Sequence, residues 1–263
     1  MRDQLSDRTI FITGAGGLLG STYVTRMLAA GGRVVASDLP GTRADALVTA
    51  HRDDANFRFC PLDVNDEAQV STVFANIRSD GWSPNVVLNN AAITGEMLMH
   101  SGMDFPDLAR TTLDDWNRTV QTNLTGAFLV ARQMDRDIVG KYPATLVNVA
   151  SMYALHGPHH QIYEGMPFGS LPAYSATKAG VHGLTLWLAG YWASRQATVN
   201  TLAPGAVFNG HSDEFRRRVG ALIMAGRMAD PQEIADVMLF LCSERAGYMT
   251  GQLVNVDGGF SAW

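Results

Sequence analysis

Tyr174 and Lys178 stand four residues apart in Tyr174-Ser175-Ala176-Thr177-Lys178, at the start of a helical pattern that continues through Leu184, Leu186 and Leu188. Residues at this spacing share one helix face, so the phenol and the ammonium point the same way. A nearby ammonium favours phenolate and brings a tyrosine closer to a pKa useful for proton transfer. An exposed amphipathic helix explains the same spacing equally well, so the pair alone does not decide. Ser151 follows the apolar run of residues 145–150, which places its hydroxyl at the carboxyl end of a strand. Phenol, ammonium and hydroxyl thus converge on one edge of the sheet that carries them.

A second group of residues suits a dinucleotide. Thr13-Gly14-Ala15-Gly16-Gly17-Leu18-Leu19-Gly20 follows the first expected strand and opens a helix. Glycines there let the backbone turn tightly and let phosphates approach the outward-pointing N–H groups of a helix N-terminus. An ordinary tight turn is the competing explanation; the order strand, turn, helix favours the nucleotide. Asp38 ends the second expected strand, 24 residues after Gly14. A carboxylate at that point accepts hydrogen bonds from the adenosine ribose hydroxyls and repels a 2′-phosphate, which favours NAD over NADP. A solvated Asp opening the turn Asp38-Leu39-Pro40-Gly41 is the alternative, and Arg43 is the one nearby cation suited to a phosphate. Asp63-Val64 and Asn89-Asn90-Ala91-Ala92 close the third and fourth strands, at the edge where open α/β folds bind ligands.

The elements that must hold these groups are short apolar runs alternating with helical periods. Strands are expected at 9–13, 33–37, 57–62, 86–89, 144–150, 198–202 and 252–256. Between them lie patterns such as Ala68, Val70, Val73, Phe74 and Ile77, which repeat every three to four residues. Strands alternating with helices imply parallel pairing through right-handed crossovers. The expectation is one α/β doubly wound domain over 1–263, a seven-stranded, mainly parallel sheet with helices on both faces. Asp230-Pro231-Gln232-Glu233 and Thr112 with Asp115 carry helix-start signals.

Composition narrows the function classes. Hydrophobic residues make up 46% of the 263 residues and charged residues 17%, enough apolar material for a sizeable core. The formal charge of −5 and the lack of a long basic block argue against a nucleic-acid partner. Cys60 and Cys242, far apart and flanked by Phe59 and Leu241, read as free buried thiols in a reducing cytosol. Met1-Arg2-Asp3-Gln4 has no apolar signal-peptide core, and no run approaches the ~18 apolar residues of a membrane span. The protein is therefore expected to be cytoplasmic.

Over essentially its whole length the sequence resembles the short-chain dehydrogenase/reductase family. The matching pieces are 13–20, Asp63-Val64, 89–92, Asn123-Leu124-Thr125-Gly126, Ser151, 174–178, Pro204-Gly205 and Asp257-Gly258-Gly259. The resemblance implies a catalytic tetrad of Asn123, Ser151, Tyr174 and Lys178. Ser151 would hydrogen-bond the carbonyl or alkoxide oxygen and Tyr174 would exchange the proton. Lys178 would bind the nicotinamide ribose and acidify Tyr174, while Asn123 would hold a water of the proton relay. It also implies NAD contacts from Gly14, Gly17, Leu19, Asp38, Asp63, Val64, Asn90, Tyr174, Lys178 and Val207. Two departures stand out: Leu18 replaces a usual glycine, and Val207-Phe208-Asn209-Gly210 replaces the Thr that commonly follows the Pro-Gly. The implied activity is hydride transfer between NAD(H) and a secondary alcohol or ketone. A non-catalytic NAD sensor, which would need neither Tyr174 nor Lys178, is the main rival, and an acyl or steroid ketone reductase of the same family another.

The 22 residues between Ser151 and Tyr174 form a longer gap than is usual in that family. The segment 154–172 reads as a substrate loop without regular structure, a mobile cover over the site. His159, Gln161 and Glu164 on it, with Ser151 and Asn209, are the expected substrate contacts, and their polarity suggests a small polar or sugar-like substrate. Residues 161–165 and the Asn209 segment are also similar to a bacterial branch associated with sugar-acid and nonulosonate metabolism. A further covering region is expected at about 207–226. His156, His159 and His160 lack a Cys or carboxylate to complete a ligand set, so no metal is expected. The helical segments 116–139 and 173–194 carry apolar residues around much of their circumference, among them Phe128, Leu129, Leu186, Trp187, Tyr191 and Trp192. A helix apolar all round is buried on two sides; in the family these helices pair subunits, which implies a homodimer or homotetramer.

Overall fold

In the computed structural model, which describes residues 4–95 and 108–262, seven parallel strands form one sheet in the order β3-β2-β1-β4-β5-β6-β7. The strands are β1 (Thr9–Thr13), β2 (Arg33–Asp38), β3 (Phe57–Pro61), β4 (Val86–Asn89), β5 (Ala144–Val149), β6 (Ala197–Pro204) and β7 (Leu253–Val256). Each falls within a few residues of its expected place. Met1, Arg2 and Asp3, which entered the expectation of a cytoplasmic protein, lie outside the described residues.

The helices are α1 (Leu18–Ala29), α2 (Thr42–His51), α3 (Glu67–Ser79), α4 (Leu113–Val120), α5 (Ala127–Asp137), α6 (Pro172–Tyr191), α7 (Asp213–Gly220) and α8 (Pro231–Cys242). The start signals hold. Thr112 caps α4 by accepting from the Asp115 amide, and Glu233 reaches back to the Asp230 amide at the head of α8. Every residue of β1, β4 and β5 is buried, as strands covered on both faces must be. One apolar cluster packs α1 and α8 on one face through Tyr23, Met27, Ile234 and Met238. The other packs α3, α5 and α6 on the opposite face through Phe74, Met134, Leu188 and Trp192. Among the described residues no helix is long and apolar enough to cross a membrane.

The chain reverses its order of strand addition between β1 and β4. In open α/β sheets the carboxyl ends of the two strands at such a switch point flank a crevice that binds ligands. Both dinucleotide motifs and Ser151 sit along this edge.

Candidate active site

One cavity of about 980 Å³ runs along the carboxyl edge. It is lined by Gly14, Gly17, Leu19, Asp38, Asp63, Val64, Asn90, Ser151, Tyr174, Lys178, Val207 and Asn209, so the structure brings these expected site residues together. Their positions follow from local chemistry. Gly14 takes φ +63°, and a Cβ there would lie 2.7 Å from the Ala91 Cα, so only glycine fits the turn. A Cβ on Gly20 would strike the Gly14 carbonyl oxygen, which is how α1 comes down so close on the loop. Leu18 is the first residue of α1, needs no positive φ, and borders the cavity; the glycine it replaces is not required by this turn. Gly17 is the N-cap and no side chain caps it, leaving first-turn amides for an anion.

The loop is tied down from two sides. Asn90 donates from Nδ2 to the Thr13 and Gly14 carbonyls at 3.0 and 2.9 Å, and Thr13 Oγ1 accepts from the amides of Asn90 and Ala91. Asp38 Oδ2 accepts from the Gly16 amide at 2.7 Å and Oδ1 from the Leu39 amide at 2.7 Å. The Gly16 contact has no sequence signal: it joins residues 22 apart through the β1–β2 pairing. Arg43 also lines the cavity. An uncapped helix start, glycines with no room for side chains, and a carboxylate at the end of β2 together fit a dinucleotide.

The chemical end lies across the cavity. Ser151 follows β5 in extended backbone, and its Oγ accepts from the Tyr153 amide at 3.2 Å. That bond uses an acceptor lone pair and leaves the hydroxyl hydrogen to be donated elsewhere. Lys178 is buried, donates from Nζ to the Val149 carbonyl at 2.8 Å, and lies 5.6 Å from the centroid of the Tyr174 ring. Burial pushes its pKa down to about 8, because a charged amine loses its hydration there.

The sign of the stability effect follows from that depression. Between about 8 and the ordinary value of 10.5 the folded chain holds fewer protons at Lys178 than the unfolded chain, so its contribution to stability rises with pH across that window and is lost as pH falls through 8. Lys178→Met is expected to flatten this part of the unliganded protein's thermal-midpoint profile. Wild-type and variant profiles of equal slope between pH 8 and 10 would contradict it.

Asn123 sits in a π-helical turn, Gln121–Gly126, between α4 and α5, where continuous helix was expected, and it does not line the cavity. Its Oδ1 accepts from the Ile93 amide at 2.7 Å, and its Nδ2 donates to the Ile93 carbonyl and Thr177 Oγ1. Both amide hydrogens are therefore used within the protein, and the side chain ties neighbouring segments together. It braces the segment after β4 against the helix carrying Tyr174 and Lys178.

The segment 154–172 also differs from expectation. Instead of lacking regular structure it contains a 3₁₀ turn at His160–Tyr163, with another at Met152–Ala154 beside its start. Ile162 and Tyr163 are buried, and the Tyr163 hydroxyl meets that of Tyr153 at 2.8 Å. Arg218 on α7 donates to the Glu164 carbonyl at 2.6 Å, joining the two covering segments. Consequently His159, Gln161 and Glu164 turn outward and border a separate, shallower depression of about 330 Å³. The physical reason is alternation along a short turn: burying Ile162 and Tyr163 sends their polar neighbours to solvent. Residues not singled out by sequence take their place, among them Tyr153, Tyr163, Phe168, Ser170, Phe215 and Phe260. For Tyr163 and Phe168, their isolation as aromatics within a Gly/Pro-rich stretch was the available signal.

Comparison with known proteins agrees with this geometry. A family model described as enoyl-(acyl carrier protein) reductase matches residues 14–261. The 3-oxoacyl-(acyl-carrier-protein) reductase FabG of Salmonella typhimurium strain LT2 is 31% identical over 94% of this chain and 95% of its own length. That of Aquifex aeolicus is 29% identical over 98% of this chain and 99% of its own. A crystal structure of a short chain dehydrogenase from Leptospira borgpetersenii with bound NAD+ superposes with a TM-score of 0.83 at 26% identity, covering 97% of this chain and 95% of that one.

Proposed function

Because this chain belongs to the short-chain dehydrogenase/reductase family, and is thus an oxidoreductase acting on CH–OH groups, we propose that it interconverts a secondary alcohol and a ketone with NAD(H). The observation that carries the reading is the meeting of Ser151, Tyr174 and Lys178 in the same cavity as the Gly14–Gly20 loop and Asp38. Bound NAD supplies the hydride acceptor, and NADH the donor. Asp38 would hold the adenosine ribose, the α1 amides the pyrophosphate, and Lys178 the nicotinamide ribose.

The chain's own groups handle the oxygen and the proton. Ser151 donates its free hydroxyl hydrogen to the substrate oxygen. Tyr174 takes the alcohol proton as phenolate, or returns it to the alkoxide in the reverse direction. Lys178, cationic below about pH 8, stabilises the phenolate electrostatically. Asn123 holds the geometry through Ile93 and Thr177.

The apolar wall favours a substrate with an apolar body over the sugar-like one that loop polarity suggested. Reduced-cofactor absorbance, followed with a panel of polyols, aryl alcohols and their ketones, tests the reading. No turnover by folded, NAD-binding protein with any of them would favour the cofactor-sensing alternative.

The same reading includes a homodimer or homotetramer. Trp187 and Tyr191 stack at 4.8 Å and, with Phe128 and Leu186, remain exposed on α5 and α6. Leu129 and Trp192, by contrast, are buried in the chain's own core. Exposed aromatic clusters of this kind mark association surfaces. Light scattering at micromolar concentration is expected to give a dimer or larger; a monomer would refute it.

A further inference from the structure

Ser170 lines the cavity with its hydroxyl buried and no hydrogen-bond partner. The residue is 6% exposed. Native chains pair nearly all buried polar atoms, and an unpaired one commonly marks a place that a ligand or water completes. Tyr23 and Ser175 also carry unpaired buried hydroxyls, but neither borders the cavity.

The hydroxyl is held in a fixed place. On one side, the Tyr174 amide donates to the Leu171 carbonyl at 3.0 Å, and α6 begins at Pro172, so Ser170 is tied to the catalytic phenol through a short, bonded turn. On the other, Gly169 presses its carbonyl against Gly95, where a Cβ would collide with it. Two residues earlier, Phe168 packs edge-on to Phe215 at 4.9 Å, and His211 lies 5.1 Å from Phe215 at 32°. Phe168 and Ser170, two positions apart, thus set an aromatic ring and an unsatisfied hydroxyl in the lining of the cavity that also holds Tyr174.

We propose that Ser170 Oγ binds a second oxygen of the substrate, so that the site selects apolar ketones or alcohols bearing another carbonyl or hydroxyl near the reacting carbon. A hydroxyl both donates and accepts, so either form of that oxygen is served. A site built to bond an oxygen discriminates strongly against analogues lacking it. This rests on the oxidoreductase reading above and adds the substrate class to it.

The test uses two probes, 1-phenyl-1,2-propanedione and phenylacetone, which differ by one oxygen beside the carbonyl to be reduced. Wild type is expected to oxidise NADH faster with the dione. In Ser170→Ala the ratio of kcat/KM for dione over phenylacetone is expected to fall about tenfold, the effect of one lost hydrogen bond. Ser170→Cys, with a weaker donor of similar size, should fall between them. The thermal midpoint of unliganded Ser170→Ala should not drop, because no internal bond is removed. An unchanged ratio in both variants overturns the assignment, and so does a lower midpoint, which would reveal an internal partner. Wild-type reduction of other ketones but neither probe overturns the substrate class. Failure with every alcohol and ketone overturns instead the oxidoreductase reading beneath it.

Discussion

Tyr174→Phe is expected to lower kcat by roughly 10²–10⁴-fold while leaving the fold and NAD binding in place. The substitution removes only the hydroxyl, and the ring keeps its place beside Lys178. The loss should appear equally in kcat and kcat/KM if the proton moves in the rate-limiting step. Cofactor titration by fluorescence separates this from misfolding. Near-normal turnover in a cofactor-bound variant would remove Tyr174 from the chemistry.

Asp38→Ala is expected to change cofactor choice. Each charge-assisted hydrogen bond to the ribose is worth on the order of 1.5–3 kcal/mol, so NAD affinity should fall about tenfold or more. Asp38 also accepts from the Gly16 amide, so part of the loss reflects a loosened phosphate loop. Affinity for NADP should rise, because the repelling carboxylate is gone and Arg43, which borders the same cavity, is free to meet a 2′-phosphate. Asp38→Ala combined with Arg43→Ala should lose that gain. A wild-type protein that binds NADP more tightly than NAD would refute the reading of Asp38.

Strand positions were legible because each is a short β-branched or apolar run bounded by turn residues, and those of β1, β4 and β5 are buried throughout. Ser151, Tyr174 and Lys178 were legible because their spacing fixes them to a strand end and a helix face. Two things escaped. The partners of Asn123 depend on a π-helical turn and on Ile93, which lies 30 residues away, and no local pattern encodes such a contact. The orientation of 154–172 depends on where Phe215 and Phe260 fall in space. Polar side chains on a loop say that it meets water; they do not say which side chains face the substrate.

The order of the strands bears on how the chain assembles as it is made. Ile10 meets Val34 on one side early, but its other neighbour, Val86, is 76 positions further along. Until that segment emerges, the middle of the future sheet is an open edge of Ile10, Phe11 and Ile12, able to pair with the wrong strand or another nascent chain. Pairings this distant in sequence also form slowly. Slower synthesis at reduced temperature should accordingly raise the yield of native protein, and refolding from denaturant should lose more to aggregates as concentration increases.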